Sequence, residues 1–288
     1  MKLVLFVVIL VVTPFKPCDS ARILGVVSFP SYSHQVVFQP VWRELSLRGH
    51  QVTTIITDSI NDTSLTNLTE IVIKEAYTSL KKHNLLDADA THGFIKMIDT
   101  MINMAEDLLN VQYSHPQVQR LIHNRSELFD LVIFEALSPT VVYAWRFDCP
   151  AIGLSSLDAG DLLHNVMGNP TNPIANPDPR LKIQDDDNLT FKERLYSVVT
   201  SWFSLVVGVF KITPMVDKIQ QKYFGESVPP FFKLIDKVEM IMIATNPIFH
   251  ATRPLNPNTI TIGSGIHILP PKPLPNVSIN KGSKDFTG

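Results

Sequence analysis

Apolar residues fall into two patterns along the chain. Short unbroken runs alternate with longer stretches of helical spacing. This predicts strands buried on both faces, separated by helices. Arg22–Ser28 (Arg-Ile-Leu-Gly-Val-Val-Ser) is the first run and predicts a strand. In His34–Arg48, Val37, Val41 and Leu45 recur four apart with Trp42 beside them, and Gly49 follows as a C′ residue. A helix is predicted there, and Pro40 inside it implies a late start or a kink. Gln51–Thr57 is β-branched and predicts a second strand. Strand, helix and strand within about 35 residues make a βαβ unit, hence a parallel sheet with right-handed crossover.

The alternation continues. Residues 61–69 are polar and predict a surface loop, with Ile71–Ile73 as a third strand. Ile95, Ile98, Ile102, Ala105 and Leu109 predict a helix over 92–112, continued by Ser114–His123. Leu131–Phe134 predicts a strand, Thr140–Arg146 a helix and Ala151–Leu154 a strand. The fold class that follows is α/β with a doubly wound parallel sheet. Asn169–Asp178 is rich in Pro and Asn and predicts an irregular loop. Thr190-Phe-Lys-Glu193 is a capping box, and the helix it opens carries the apolar stretch Val198–Phe210. At ~1.5 Å per residue, thirteen residues reach about 20 Å, too short to span a bilayer. The stretch is also too apolar to face water, so it is expected on a membrane surface, against a partner, or in the domain's own core. Met240–Ala244 and Thr259–Ile262 predict two last strands, and Pro270-Pro-Lys-Pro-Leu-Pro275 a stiff linker.

The N-terminus changes the picture of where the chain resides. Met1-Lys2, the apolar run Leu3–Val12 and then Thr13-Pro14 have the layout of a signal peptide, with cleavage after Ser20. Ten apolar residues cover about 15 Å, half a bilayer core, so no transmembrane anchor is expected there. The expected residence is the secretory pathway, in the endoplasmic reticulum lumen or outside the cell. Five sequons, at Asn61, Asn67, Asn124, Asn188 and Asn276, fit a glycoprotein. The expected organisation is a leader over 1–20, one domain over 21–268, and a Pro-rich linker and tail over 269–288. Of the two cysteines, Cys18 falls in the leader. Cys149 then reads as a buried thiol, in preference to a nucleophile.

Composition removes several function classes. Of 288 residues, 45% are apolar and 18% charged, which excludes a disordered chain. Lys+Arg number 25 and Asp+Glu 27, so no cationic footprint for nucleic acid exists. The nine histidines show no His-x-x-x-His spacing, and no Cys-x-x-Cys occurs, so no metal site is expected. Gly263-Ser-Gly265 lacks the third glycine of a dinucleotide fingerprint, and no phosphate loop or Gly-x-Ser-x-Gly occurs.

Two residues stand out for chemistry. Phe29–His34 joins the first strand to its helix, and open α/β sheets bind ligands beyond the carboxyl ends of their strands. His34 is therefore a candidate general base, with a plain surface histidine as the alternative. Glu135 follows Leu131–Phe134 at the same sheet edge. A carboxylate there can hold an imidazole tautomer and stabilise the imidazolium, or it can be an ordinary loop residue. Asp130, at the strand's other end, reads as a turn residue.

The segments Ala21-Arg-Ile-Leu-Gly-Val-Val-Ser-Phe-Pro-Ser-Tyr-Ser-His-Gln35, Glu44-Leu-Ser-Leu-Arg-Gly-His-Gln-Val-Thr53, Phe129-Asp-Leu-Val-Ile-Phe-Glu135, Asn188-Leu-Thr-Phe-Lys-Glu-Arg-Leu-Tyr196 and Gly265-Ile-His-Ile-Leu-Pro-Pro-Lys-Pro-Leu-Pro275 carry a resemblance. Together they resemble the amino-terminal half of the UDP-glycosyltransferases (UDP-glucuronosyltransferases), in the insect style. The resemblance implies the N-terminal, Rossmann-like domain of a GT-B enzyme. That half would hold a small lipophilic acceptor, as in detoxification, with Phe29, Tyr32 and Ser33 beside it. It implies that His34 takes the acceptor hydroxyl proton, the oxygen attacks the sugar's anomeric carbon, and UDP leaves with inversion. Glu135 falls where vertebrate members commonly place an Asp. No cofactor is implied, only a UDP-sugar as co-substrate. The family's donor half, with its Trp-x-Pro-Gln and His-x-Gly motifs, is not found in these residues. Expected partners are the acceptor and full-length relatives. The alternative is a truncated, non-catalytic isoform that binds lipophiles or pairs with such relatives.

Overall fold

Seven short strands build one sheet: β1 (Arg22–Val26), β2 (Gln51–Ile56), β3 (Leu68–Val72), β4 (Leu131–Glu135), β5 (Ala151–Ser155), β6 (Val238–Ile243) and β7 (Thr259–Thr261). The structure, a computed structural model, describes residues 20–27, 29–83, 93–178, 181, 188–246 and 253–263. The strand order is β3-β2-β1-β4-β5-β6-β7, and every neighbouring pair is parallel. The chain winds one way from β1 to β3 and the other way from β4 to β7. The sheet is thus doubly wound and Rossmann-like, with its switch point between β1 and β4.

Side-chain alternation explains the two layers. On one face, Ile23, Val52 and Ile56 pack with Phe38 and Trp42 of helix α1 (Tyr32–Leu47). On the other, Leu24, Ile55 and Val132 pack with Leu108 of α3 (Gly93–Ser114), Tyr143 of α5 (Val142–Phe147) and Val216 of α8 (Thr213–Phe224). Strands covered on both sides must be apolar throughout, and Arg22–Val26 is buried from Ile23 onward. Gly25 is required by close packing. A Cβ there would lie 2.8 Å from the ring of Trp42, itself 1% exposed.

Helix α1 runs through Pro40, so the late start does not occur. It ends as predicted. Gly49 (φ 89°) donates to Ser46 O at 2.9 Å and His50 to Leu45 O at 3.1 Å, a Schellman closure. Strand β3 begins at Leu68, inside the segment expected to be loop. It is an edge strand in which Thr69 is exposed and Glu70 half-buried, so no unbroken apolar run marks it. Four further helices carry weak sequence signals: α2 (Glu75–Lys81), α6 (Asp161–Val166), α8 and α9 (Phe231–Leu234). α4 (Pro116–His123) follows α3, as expected.

The largest correction concerns the apolar helix. The capping box is present, with Glu193 N–H on Thr190 Oγ1 at 3.3 Å and Thr190 N–H on Glu193 Oε2 at 2.8 Å. The helix it opens, α7 (Phe191–Val207), does not stop near residue 210. It passes through a π-turn, Gly208–Ile212, into α8. Pro214 has no N–H to give the Phe210 carbonyl, which accounts for the wider turn just before it. The continuous path Phe191–Phe224 is 34 residues, long and apolar enough to cross a membrane by length and composition. The leader, the linker over 269–288 and Asn276 lie outside the described residues.

Candidate functional site

The edge where β1, β4 and β5 end gathers three polar side chains at the switch point. His34 stands on the first turn of α1, its N–H donating to Ser31 O at 3.0 Å. Glu135 closes β4 and is 0% exposed. Ser156 follows β5 directly. His34 Nδ1 lies 2.5 Å from Glu135 Oε1 and 3.1 Å from Ser156 Oγ. The extra methylene of Glu over Asp therefore does not prevent pairing. The other Glu135 oxygen accepts the Phe29 N–H at 3.3 Å, and the Phe29 ring sits 4.5 Å from the imidazole centroid.

This arrangement fixes a tautomer. A carboxylate accepts only, so Nδ1 carries the hydrogen and Nε2 keeps its lone pair. Nε2 makes no hydrogen bond among the described residues, and the His34 side chain is 15% exposed. An oriented imidazole with one nitrogen free can take a proton from a hydroxyl brought to it.

Of the acceptor-contact candidates, Phe29 faces His34 directly. Tyr32 is 63% exposed, and the Ser33 hydroxyl lies 3.0 Å from that of Ser31. Both sit on the first turn of α1 beside the base. Asp130 accepts the Arg22 N–H at 2.7 Å, at the far end of β4 from Glu135, and so lies away from His34. Asn61, Asn124 and Asn188 are exposed and Asn67 is half-buried. Cys149 is buried, and burial pushes its thiol up to about 11, which removes it as a nucleophile.

Two positions were missed at the sequence level. Gln35 is 1% exposed, and its Nε2 donates to Phe29 O at 3.0 Å and Val27 O at 3.3 Å. It pins the loop that carries Phe29. Its signal is a polar residue on the same helix face as Phe38 and Trp42. Ser156 has no signal beyond following an apolar strand. Two residues on, Asp158 lies 3.5 Å from His164 Nε2 and 3.6 Å from the Arg253 guanidinium. These contacts tie the loop after β5 to the segment entering β7.

A groove of about 460 Å³ lies elsewhere, at the amino ends of β1 and β2 and against α4, lined by Arg22, Gln51 and Arg120 among others. Among the described residues, no group of three His, Cys, Asp or Glu side chains is placed to hold a metal ion.

The fold and site define a Rossmann-like α/β domain with an imidazole–carboxylate pair at its ligand edge. The sequence profile of the UDP-glucoronosyl and UDP-glucosyl transferase family matches residues 24–281, and the chain belongs to that family. UDP-glycosyltransferase UGT4 of Dactylopius coccus is 28% identical, over 90% of this chain and 51% of its own length. The ecdysteroid UDP-glucosyltransferase of Autographa californica nuclear polyhedrosis virus is 27% identical, over 90% and 52%. The chain thus spans about half the length of the curated relatives it matches. Among solved structures, the glycotransferase of kitacinnamycin matches at 16% identity with a TM-score of 0.47, over 85% of this chain and 51% of that one.

Proposed function

We propose that this chain is the acceptor-binding half of a GT-B UDP-glycosyltransferase. His34 is the base and Glu135 its supporting carboxylate. Nε2 takes the proton of an acceptor hydroxyl as that oxygen bonds to the anomeric carbon of a UDP-sugar. The bond from that carbon to the UDP oxygen breaks, UDP leaves with the electron pair, and the anomeric centre inverts. Glu135 stays ionised and stabilises the imidazolium that forms. The observation that carries this reading is the 2.5 Å pair of His34 and Glu135 at the switch point, with Nε2 free. Its partners are a small lipophilic acceptor, full-length relatives and a membrane surface along 198–210. Its residence is the secretory pathway or endoplasmic reticulum lumen, with glycans on its exposed sequons. Donor binding falls to the half that the relatives have and these residues do not cover.

The test joins residues 21–275 to the donor half of a relative such as the Dactylopius coccus enzyme and offers UDP-glucose or UDP-glucuronate with a panel of phenols. Sugar transfer by the joined protein is expected, with His34→Ala lowering kcat by about 10²-fold or more and leaving KM nearly unchanged. The chain alone is expected to transfer none. A joined protein whose His34→Ala variant keeps most of its activity overturns the assignment of the base.

A further inference from the structure

The groove at the amino ends of β1 and β2 lies at the sheet edge opposite His34. Its lining changes character along each strand. On β2, Ile55 packs in the core, Thr53 comes next on the same face and Gln51 after it. On β3, Ile71 is likewise followed by Thr69. Toward its amino ends the face thus passes from apolar to hydroxyl to amide. α4 looks onto it with Gln117, Arg120 and Leu121, and Asn124 continues that row just past the helix. The side chains of Gln51, Thr53, Thr69, Gln117 and Arg120 make no hydrogen bond or ion pair among the described residues. A groove of about 460 Å³ is within the size of a small-molecule site, ~300–1,000 Å³.

Asn124 stands at the rim and opens the sequon Asn124-Arg125-Ser126. Its side chain is held in one orientation. Oδ1 accepts the Ser126 N–H at 3.2 Å and the Ser126 hydroxyl at 2.7 Å, an Asx turn. Nδ2 donates to Glu127 Oε2 at 3.3 Å. Glu127 also lines the groove, with its other oxygen on the Arg22 guanidinium. The nitrogen that a sugar would join is therefore aimed at the groove. The other described sequons lack this setting. Asn61 Nδ2 is turned onto Ser59 O at 3.2 Å, Asn67 is half-buried, and the Thr190 hydroxyl of the Asn188 sequon caps α7.

We propose that Asn124 carries an N-linked glycan whose first sugars lie in this groove. The proposal rests on the secretory residence given above and not on His34. A lipid diphosphate-linked oligosaccharide supplies the sugar. The bond from Nδ2 to the anomeric carbon forms as the bond from that carbon to the diphosphate oxygen breaks. The lipid diphosphate leaves with the electron pair, and Nδ2 gives up one proton. The second Nδ2 hydrogen stays for Glu127. The lining suits a neutral sugar. Amides, hydroxyls and Arg120 meet ring hydroxyls and an N-acetyl group, while Ile71 and Leu121 present carbon to the C–H face of the ring. A free anion fits less well, because Glu127 stands in the groove and answers Arg22. Tethering also relaxes the affinity required. At the roughly millimolar effective concentration of a short tether, a dissociation constant of about 0.1 mM fills the groove about nine-tenths of the time. The seated sugar closes the end of the domain away from His34, so it acts on the fold and not on the chemistry.

The full chain is produced through a secretory pathway, and its glycans are released from the folded protein with a peptide N-glycosidase. Release at each asparagine is read by mass spectrometry as conversion to aspartate. Release at Asn124 is expected to be about tenfold slower in the parent than in a Thr69→Ala, Arg120→Ala variant, since only the unseated tenth is open to the enzyme. Both substitutions fall at exposed positions, and the circular-dichroism spectrum should not change. Three results overturn the inference: Asn124 recovered bare, equal release at Asn124 from parent and variant, or release at Asn61 speeded as much as at Asn124. A chain bare at every sequon removes the secretory residence as well. A chain bare at Asn124 alone, or freely released there, leaves that residence standing, and none of these results touches the base assignment.

Discussion

Replacing Glu135 by Gln separates the roles of base and support. Glu135 is fully buried and answers two donors, His34 Nδ1 at 2.5 Å and the Phe29 N–H at 3.3 Å. A carboxamide has one acceptor oxygen and one NH2. Whichever way it faces, one donor confronts an N–H group. The negative charge that steadies the imidazolium is also gone. A hydrogen bond to a charged group contributes about 1.5–3 kcal/mol, which corresponds to about 10- to 150-fold in kcat. Loss of the base itself costs about 10²–10⁴-fold. In the enzyme joined to a donor half, we therefore predict that Glu135→Gln lowers kcat less than His34→Ala does and leaves KM nearly unchanged. Ser156→Ala removes a neutral partner from the same Nδ1 and should cost about 0.5–1.5 kcal/mol, or about 2- to 12-fold. Steady-state rates over a range of acceptor concentrations give all three, with urea midpoints confirming that each variant is folded. A Glu135→Gln enzyme as fast as its parent, or slower than His34→Ala, refutes the assignment of support to Glu135.

Gly25→Ala drives a Cβ to 2.8 Å from the buried Trp42 ring and should destabilise the chain by about 1–3 kcal/mol; an unchanged urea midpoint contradicts that packing. Thr190→Ala removes the hydroxyl that accepts the Glu193 N–H, leaves the backbone N–H of residue 190 on the Glu193 carboxylate, and should cost about 0.5–2 kcal/mol, read the same way. Burial and the Asp58 carboxylate push the Tyr77 phenol up to about 12, and burial pushes Cys149 to about 11 and raises Tyr113 and Tyr143. The folded chain holds these protons to higher pH than the unfolded one. Their stabilising contribution is full below about pH 9 and is lost as pH rises through about 12, so the urea midpoint should fall between pH 8 and pH 11. A flat profile there contradicts the prediction.

The central strands were legible because burial on both faces writes a run without charged residues, as in Ile23–Val26 and Leu131–Phe134. The edge strand Leu68–Val72 was partly hidden because its outer positions meet water. His34 and Glu135 could be placed from sequence because Glu135 closes a recognisable strand and His34 opens the helix after another, and the carboxyl ends of strands define the ligand edge. Their pairing could not, since 101 residues separate them and only strand order decides whether β4 lies beside β1. Ser156 joins them because β5 is the next strand over. Gln35 could be recognised only from packing: a polar residue at a core position of α1 becomes useful where bare strand-end carbonyls need a donor.

The same limit explains α7. Hydrophobic spacing reports that a helix has two unlike faces and how wide they are, but it carries no sign for which face turns inward. In α1 the apolar face holding Phe38 and Trp42 turns to the sheet, as water requires. In α7 the small polar face turns to the domain, because Ser197, Thr200 and Gly208 permit a close approach to α6 and Ser201 gives Asp161 a partner. Large apolar side chains on that inner side would hold the helix away and leave Asp161, 5% exposed, without that bond. The inversion is therefore built into the domain's own packing. A helix placed that way must bury its outer face in something other than this domain.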